Sequence, residues 1–217
     1  MLIPKYDAIL FDKDGTIFDS ERMAFDAWMN TARAFGVLFN LDIYKTFIGV
    51  PTPECFNRAR NLFGKGFPMD NFISEYRHCM SISKQQGVPI KKGFTEFFEA
   101  IKAVKIPIGV VTSSSYDAAM DSFQHTDFLP ALDVLITLDD VVTPKPAPDC
   151  YLLACQKLSV SPERVLVFED SSVGIKASLA AGCQTIAIPD LADIESELLP
   201  KCTHALTSFD DAHFVLK

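Results

Sequence analysis

Five short apolar runs, each continuous rather than alternating, set the tightest limit on how this chain can fold. They are AILF (8–11), IPIGVV (106–111), LDVLI (132–136), VLVF (165–168) and TIAI (185–188). A strand with water on one face alternates apolar and polar residues, whereas a continuous, partly β-branched run suits a strand covered on both faces. Helical patterns lie between the runs. TEFFEAIKAV carries apolar residues at helical spacing, APDCYLLACQKL opens with a proline suited to an early helical position, and SSVGIKASLAAG has serine at its start for capping and Gly182 at its end for a left-handed stop. Strand and helix in repetition predict an α/β fold with a doubly wound parallel sheet.

One interval breaks the alternation. Between about Phe18 and Gly87 no buried strand is legible. Three amphipathic helices are, each ending at a glycine: ERMAFDAWMNTARAFG, TPECFNRARNLFG and MDNFISEYRHCMSISKQQG. The expected organisation is an α/β core of residues 1–17 and 89–217 interrupted by a helical domain, 18–88. Both ends of the insert join one sheet, so they must lie near each other. An insert on two linkers can rock over a site as a lid.

With 217 residues, 48% of them hydrophobic, the chain has ample material for a core and for a second, smaller unit. The net charge is −8 and the isoelectric point about 4.9, which argues against nucleic acid or an anionic membrane as the main partner. An anionic substrate would have to meet a local cluster of positive charge. No charged-then-apolar leader opens the sequence and no apolar run is long enough to span a bilayer. The six cysteines form no C-x-x-C pair, as expected of buried free thiols in a reducing compartment, so a cytoplasmic location is expected. His78 and His125 have no partner at zinc spacing.

In open parallel sheets, ligands bind beyond the carboxyl ends of the strands. After AILF come Asp12 and Asp14; after IPIGVV, Thr112 and Ser113; after VLVF, Glu169 and Asp170. Lys145 precedes the helix of APDCYLLACQKL. Carboxylates packed together suggest a hard divalent cation, and Mg²⁺ typically takes one or two carboxylates plus waters and phosphate; Asp12 and Asp170 are the candidate side-chain ligands. Toward a phosphoryl group, an ionised Asp12 becomes a useful nucleophile. Thr112 and Ser113 would donate to phosphoryl oxygens, Lys145 would neutralise charge, and the amides of DKDGT would form an anion-binding nest. Asp14 would protonate the leaving oxygen and then deprotonate water.

These segments resemble the motifs of the haloacid dehalogenase superfamily. DKDGT matches its first motif, D-x-D-G-T, and VVTSSS, TPKPAPDC and FEDSSVGI match the second, third and fourth in the family's order. The resemblance covers essentially the whole chain and implies a Rossmann-like core with a small helical cap inserted after the first strand. It implies Asp12 as the phosphorylated nucleophile, Asp14 as acid/base, Thr112 with Ser113 beside it on the phosphate, and Lys145 as charge stabiliser. It implies Mg²⁺ held by Asp12, the backbone carbonyl of Asp14 and Asp170, with Glu169 a further ligand or acting through water. GVPTPE, TPKPAPD and EDSSVGI are most similar to the β-phosphoglucomutase-like phosphatases. The mutases usually carry a cap arginine just after the Gly-Val of the first of these segments, where this chain has Pro51, Thr52 and Pro53, and a histidine early in the first cap helix, which SERMAFDAW lacks. Lys13 replaces a more usual apolar residue, and no role is assigned to it.

The expectation is therefore a Mg²⁺-dependent phosphatase acting on a small phosphorylated metabolite such as a sugar phosphate, through an aspartyl phosphate, as a monomer or weak dimer. A phosphomutase and a non-catalytic phospho-ligand-binding module stand as alternatives; dehalogenation fits less well, because that branch does without Asp14 and the metal. Plainer readings exist for each residue. Asp12 and Asp14 would form a solvated turn; Thr112 and Ser113 would cap a helix, for which Ser114 or Ser115 is better placed. Lys145 would be an exposed loop lysine and Asp170 only an N-cap. Arg58, Arg60, Arg77 and Lys84 read as surface charges of the insert.

Overall fold

A computed structural model describes residues 6–48, 50 and 52–216. Gly49 and Pro51, part of the segment compared with the mutases, lie outside the described residues. The chain divides into two compact units, Met1–Asp19 with Pro89–Lys217, and Ser20–Val88.

The first unit is built on a six-stranded sheet: β1 (Ala8–Phe11), β2 (Ile108–Val111), β3 (Val134–Ile136), β4 (Val165–Glu169), β5 (Gln184–Ala187) and β6 (His204–Ala205). Every pairing is parallel and the order is β3-β2-β1-β4-β5-β6. The doubly wound α/β sheet expected from the apolar runs is what forms. β1 is central, with Ile9 beside both Ile108 of β2 and Leu166 of β4.

Both faces of β1 are covered, which explains its unbroken apolar run. Successive side chains point to opposite faces. Ala8 and Leu10 join a core cluster with Val111, Tyr151, Ala154 and Ala177. Phe11 turns the other way into an aromatic cluster, stacking on Phe168 at 5.1 Å and meeting Phe94 edge-on at 5.2 Å; Phe97 and Phe209 close that layer at 5.5 Å. Phe94 and Phe97 lie on the helix α5 (Phe94–Val104), and Phe209 on a C-terminal 3-10 segment at Phe209–Leu216.

The chain leaves the core and returns to it side by side. Phe18 bridges antiparallel to Ile90, and the Asp19 amide donates to Pro89 O at 2.7 Å. Lys91 adds a 2.6 Å bond to Asp190.

The second unit is helical: α1 (Ser20–Ala34), α2 (Leu41–Lys45), α3 (Thr52–Phe63) and α4 (Met69–Gln85). The three long helices are the three legible in the sequence, and Gly36, Gly64 and Gly87 beyond their ends have positive φ. The short α2 was not anticipated; Asn40 caps it by accepting from the Ile43 amide at 2.9 Å. Trp28 is the centre of this unit, 2% exposed and within 5.0 to 5.5 Å of Phe39, Phe47, Phe56, Phe72 and Tyr76, centroid to centroid. Among the described residues no helix is long and apolar enough to cross a membrane. All six cysteines are free thiols.

Candidate active site

Each segment expected at the site ends or follows a strand of the first unit. β1 runs into Asp12, whose amide continues the ladder by donating to Phe168 O at 2.9 Å. The chain then turns tightly, the amides of Ile17 and Phe18 both donating to Lys13 O and that of Gly15 to Phe18 O. The Gly15 amide is therefore committed within the turn, and the anion-binding nest expected of DKDGT is reduced by that donor. Gly15 has φ +85°, and a side chain there would run into the Asp170 carboxyl. Glycine thus serves both the turn and the room that Asp170 occupies.

Asp12, Glu169 and Asp170, from opposite ends of the sequence, come together. One carboxylate oxygen from each lies within 4.8 Å of the others, and all three residues are buried. Lys145, in the turn before the helix Asp149–Leu158 (α7), reaches into this group. Its Nζ donates to Asp12 Oδ1 at 2.6 Å, Glu169 Oε1 at 2.7 Å and Val111 O at 3.1 Å, so all three ammonium protons are used. Its side chain is 4% exposed, which removes the reading of a loop lysine in solvent.

Glu169 is held from every side. Oε1 accepts from Lys145 and from the Tyr151 hydroxyl at 2.9 Å; Oε2 accepts from the amides of Asp170 and Ser171 and the Ser171 hydroxyl at 3.1, 3.2 and 3.1 Å. The Ser171 oxygen in turn caps the helix Ser172–Ala180 (α8), accepting from Gly174 N, so the N-cap is Ser171 and not Asp170. Asp170 Oδ1 accepts from Thr16 at 3.1 Å.

Asp14 is more open. Its side chain is 38% exposed, with Oδ1 accepting from Lys13 Nζ and Oδ2 from the Ser114 hydroxyl, both at 2.8 Å. Thr112 is buried beyond β2, and its hydroxyl accepts from the Ser114 amide at 3.0 Å. Ser113 is exposed. Ser115 caps the helix Tyr116–Phe123 (α6), which leaves Thr112 free of the capping role.

Three carboxylates around one ammonium leave excess negative charge in a dry place. Burial pushes the Asp12 carboxyl up to about 7, Lys145 opposing and Glu169 reinforcing the rise. Burial, with Asp12 and Glu169 nearby, drives Asp170 well above the usual carboxylate range. Burial works against the Lys145 ammonium, yet Asp12, Glu169 and Tyr151 together hold it well above an ordinary lysine. A buried, all-oxygen, electron-rich group of this kind fits a hard divalent cation. Ser114, Tyr151, Thr16 and Ser171 were not among the expected site residues. Ser114 stands in a run of three serines that the sequence does not distinguish, and Tyr151 reads as a core aromatic of α7.

An all-parallel sheet that gathers acids and one lysine beyond its strand ends defines a class of phosphoryl-handling α/β enzyme. Residues 9–188 match the family model of haloacid dehalogenase-like hydrolases. The chain is 32% identical over 191 residues, 88% of itself and 89% of the relative, to validoxylamine A 7'-phosphate phosphatase of Streptomyces hygroscopicus subsp. limoneus. It is 29% identical over 83% of each chain to a phosphorylated carbohydrates phosphatase of Thermotoga maritima. Among solved structures, a putative β-phosphoglucomutase from Thermotoga maritima superposes with a TM-score of 0.78 at 25% identity, covering 94% of this chain and 95% of the other. The chain belongs to the haloacid dehalogenase-like hydrolases, in their phosphatase branch.

Proposed function

We propose that the protein hydrolyses a small phosphate monoester, a phosphorylated sugar or sugar-like alcohol, through an aspartyl phosphate on Asp12. The observation that carries this reading is the buried meeting of Asp12, Glu169 and Asp170, the first two of them bonded to Lys145, with Asp14 in the turn that follows Asp12. The names of its relatives, which include a hexitol phosphatase from Escherichia coli at 31% identity, support the substrate class.

In the first step the Asp12 carboxylate attacks phosphorus and the bond to the leaving alcohol breaks, the alcohol oxygen taking the proton of Asp14. In the second, Asp14 takes a proton from water as that water attacks phosphorus, the Asp12–phosphorus bond breaks, and inorganic phosphate leaves. Lys145 offsets the charge shared by nucleophile and phosphoryl oxygens. Thr112, with Ser113 beside it, is assigned to the phosphoryl oxygens. Asp12, the Asp14 carbonyl and Asp170 would hold Mg²⁺, with Glu169 fixing Lys145 and serving the ion directly or through water. Bound there, the ion supplies positive charge that keeps Asp12 ionised and polarises the phosphoryl group. The helical unit Ser20–Val88 is assigned substrate selection, as the family's cap.

The same residues would serve a phosphomutase. The missing arginine after Val50 and the missing histidine in SERMAFDAW favour hydrolysis. Asp12→Asn should reduce phosphate release from p-nitrophenyl phosphate to background, and so should chelation by EDTA. Wild-type turnover in Asp12→Asn would remove the nucleophile assignment. Conversion of β-glucose 1-phosphate without free phosphate, followed by phosphorus NMR with a bisphosphate primer, would favour the mutase.

A further inference from the structure

Lys13 lies between the two catalytic aspartates, yet its side chain is 2% exposed. A lysine is seldom buried without partners, because taking an ammonium out of water is costly. An apolar side chain would fill the same space without that cost, so packing alone does not account for the residue.

Its partners are specific. Nζ donates to Asp14 Oδ1 at 2.8 Å and to the Ser122 hydroxyl oxygen at 3.0 Å. The Ser122 hydroxyl spends its own proton on Ala118 O at 3.0 Å, one turn back along α6, so its oxygen is turned to accept from the lysine. A line of bonds therefore runs from the α6 backbone through Ser122 and Lys13 to Asp14. The other oxygen of Asp14 is held by Ser114 at 2.8 Å. The terminal torsion of an aspartate is broad and two-fold, so a half-exposed carboxyl left alone turns freely. Gripping both of its oxygens fixes its plane.

We propose that Lys13 is a positioning residue that sets the orientation of the Asp14 carboxyl for proton exchange with the leaving oxygen. This rests on the reading of Asp14 as the acid/base. The step it serves is unchanged: the proton passes from Asp14 to the ester oxygen as the phosphorus–oxygen bond breaks, and fixing the donor lowers the cost of reaching that geometry.

The test compares two substrates of similar size and unequal need for protonation. p-Nitrophenolate leaves readily as an anion, whereas phenolate from phenyl phosphate depends more on the acid. In Lys13→Met, kcat/KM for phenyl phosphate should fall roughly tenfold more than for p-nitrophenyl phosphate, a fraction of the 10²–10⁴-fold that general acid–base catalysis supplies. Asp14→Asn should show the same selectivity, more strongly. Ser122→Ala, which keeps the lysine and removes its anchor, should show it more weakly, and it carries the test if Lys13→Met does not fold. Equal losses on both substrates in Lys13→Met and Ser122→Ala, or no loss, would overturn the proposal. If Asp14→Asn is selective and neither of the others is, Lys13 alone loses its role. If Asp14→Asn shows no selectivity, the acid/base reading of Asp14 falls and the proposal with it.

Discussion

Replacing Lys145 with methionine isolates the electrostatics of the buried group from its chemistry. The side chain keeps much of its length and loses one charge. That charge touches Asp12 at 2.6 Å and Glu169 at 2.7 Å, with the two carboxylates 9% and 0% exposed. Breaking a buried pair by removing one member costs about 3–5 kcal/mol, because the remaining charge is left without a partner. For a chain of this size each kcal/mol moves Tm by about 2–4 °C, so at pH 8 in EDTA the variant should melt roughly 6–20 °C below wild type. Lys145 itself sets no pH dependence between 5 and 8. Its folded value lies above the ordinary 10.5, so it is charged throughout that range and its contribution is lost only at higher pH. Asp12 does respond, because its carboxyl is pushed up to about 7 and at pH 5 takes up a proton rather than staying charged and unpaired. The gap in Tm should therefore shrink on acidification and narrow again at pH 8 when Mg²⁺ is added. Circular dichroism melts at pH 5 and pH 8, with EDTA or Mg²⁺, give all four values. A Lys145→Met protein melting within about 3 °C of wild type at pH 8 in EDTA would refute the reasoning, since a shift that small corresponds to about 1 kcal/mol.

Other outcomes follow from the same geometry. Folded Asp12 keeps its proton to about 7 while the unfolded chain releases it near 3.8, so Asp12 makes the metal-free protein less stable as pH rises between those values. Calorimetry should accordingly show a larger Mg²⁺-induced rise in Tm at pH 8 than at pH 5. Gly15→Ala forces a side chain against the Asp170 carboxyl at a positive φ, and isothermal titration should find Mg²⁺ affinity lowered roughly 10–100-fold, as when the surroundings of metal ligands are disturbed. Trp28→Ala should destabilise the helical unit by about 3–5 kcal/mol, readable by urea denaturation.

What the sequence disclosed, and what it withheld, follows from where the information lies. β1 to β5 are legible because burial in the sheet demands a largely unbroken apolar run. β6 is not, since His204 and Ala205 are exposed and only two residues long. The α2 helix, at five residues, is too short for periodicity to register. At the site, Asp12, Lys145, Glu169 and Asp170 were readable because parallel topology brings strand ends to one edge. The residues that hold them were not. Ser114 rather than Ser113 reaches Asp14, and this is decided by the direction of one turn after β2. Tyr151 packs in the core like any aromatic of an apolar helix face, yet its hydroxyl reaches through to Glu169, which no sequence pattern reveals. Lys13 looked like a departure from an apolar pattern and turned out to be buried against its neighbour.

The paired crossing at Phe18–Ile90 and Asp19–Pro89 has a consequence for how such a chain can diversify. Because exit and re-entry are stitched to each other within the core, the sheet experiences everything between them as the tip of one hairpin. Closing that loop is settled at its neck, and the entropic penalty grows only slowly with the length beyond it. Residues 20–88 can therefore be lengthened, shortened or exchanged for another module while the strands, and the acids at their ends, stay in register.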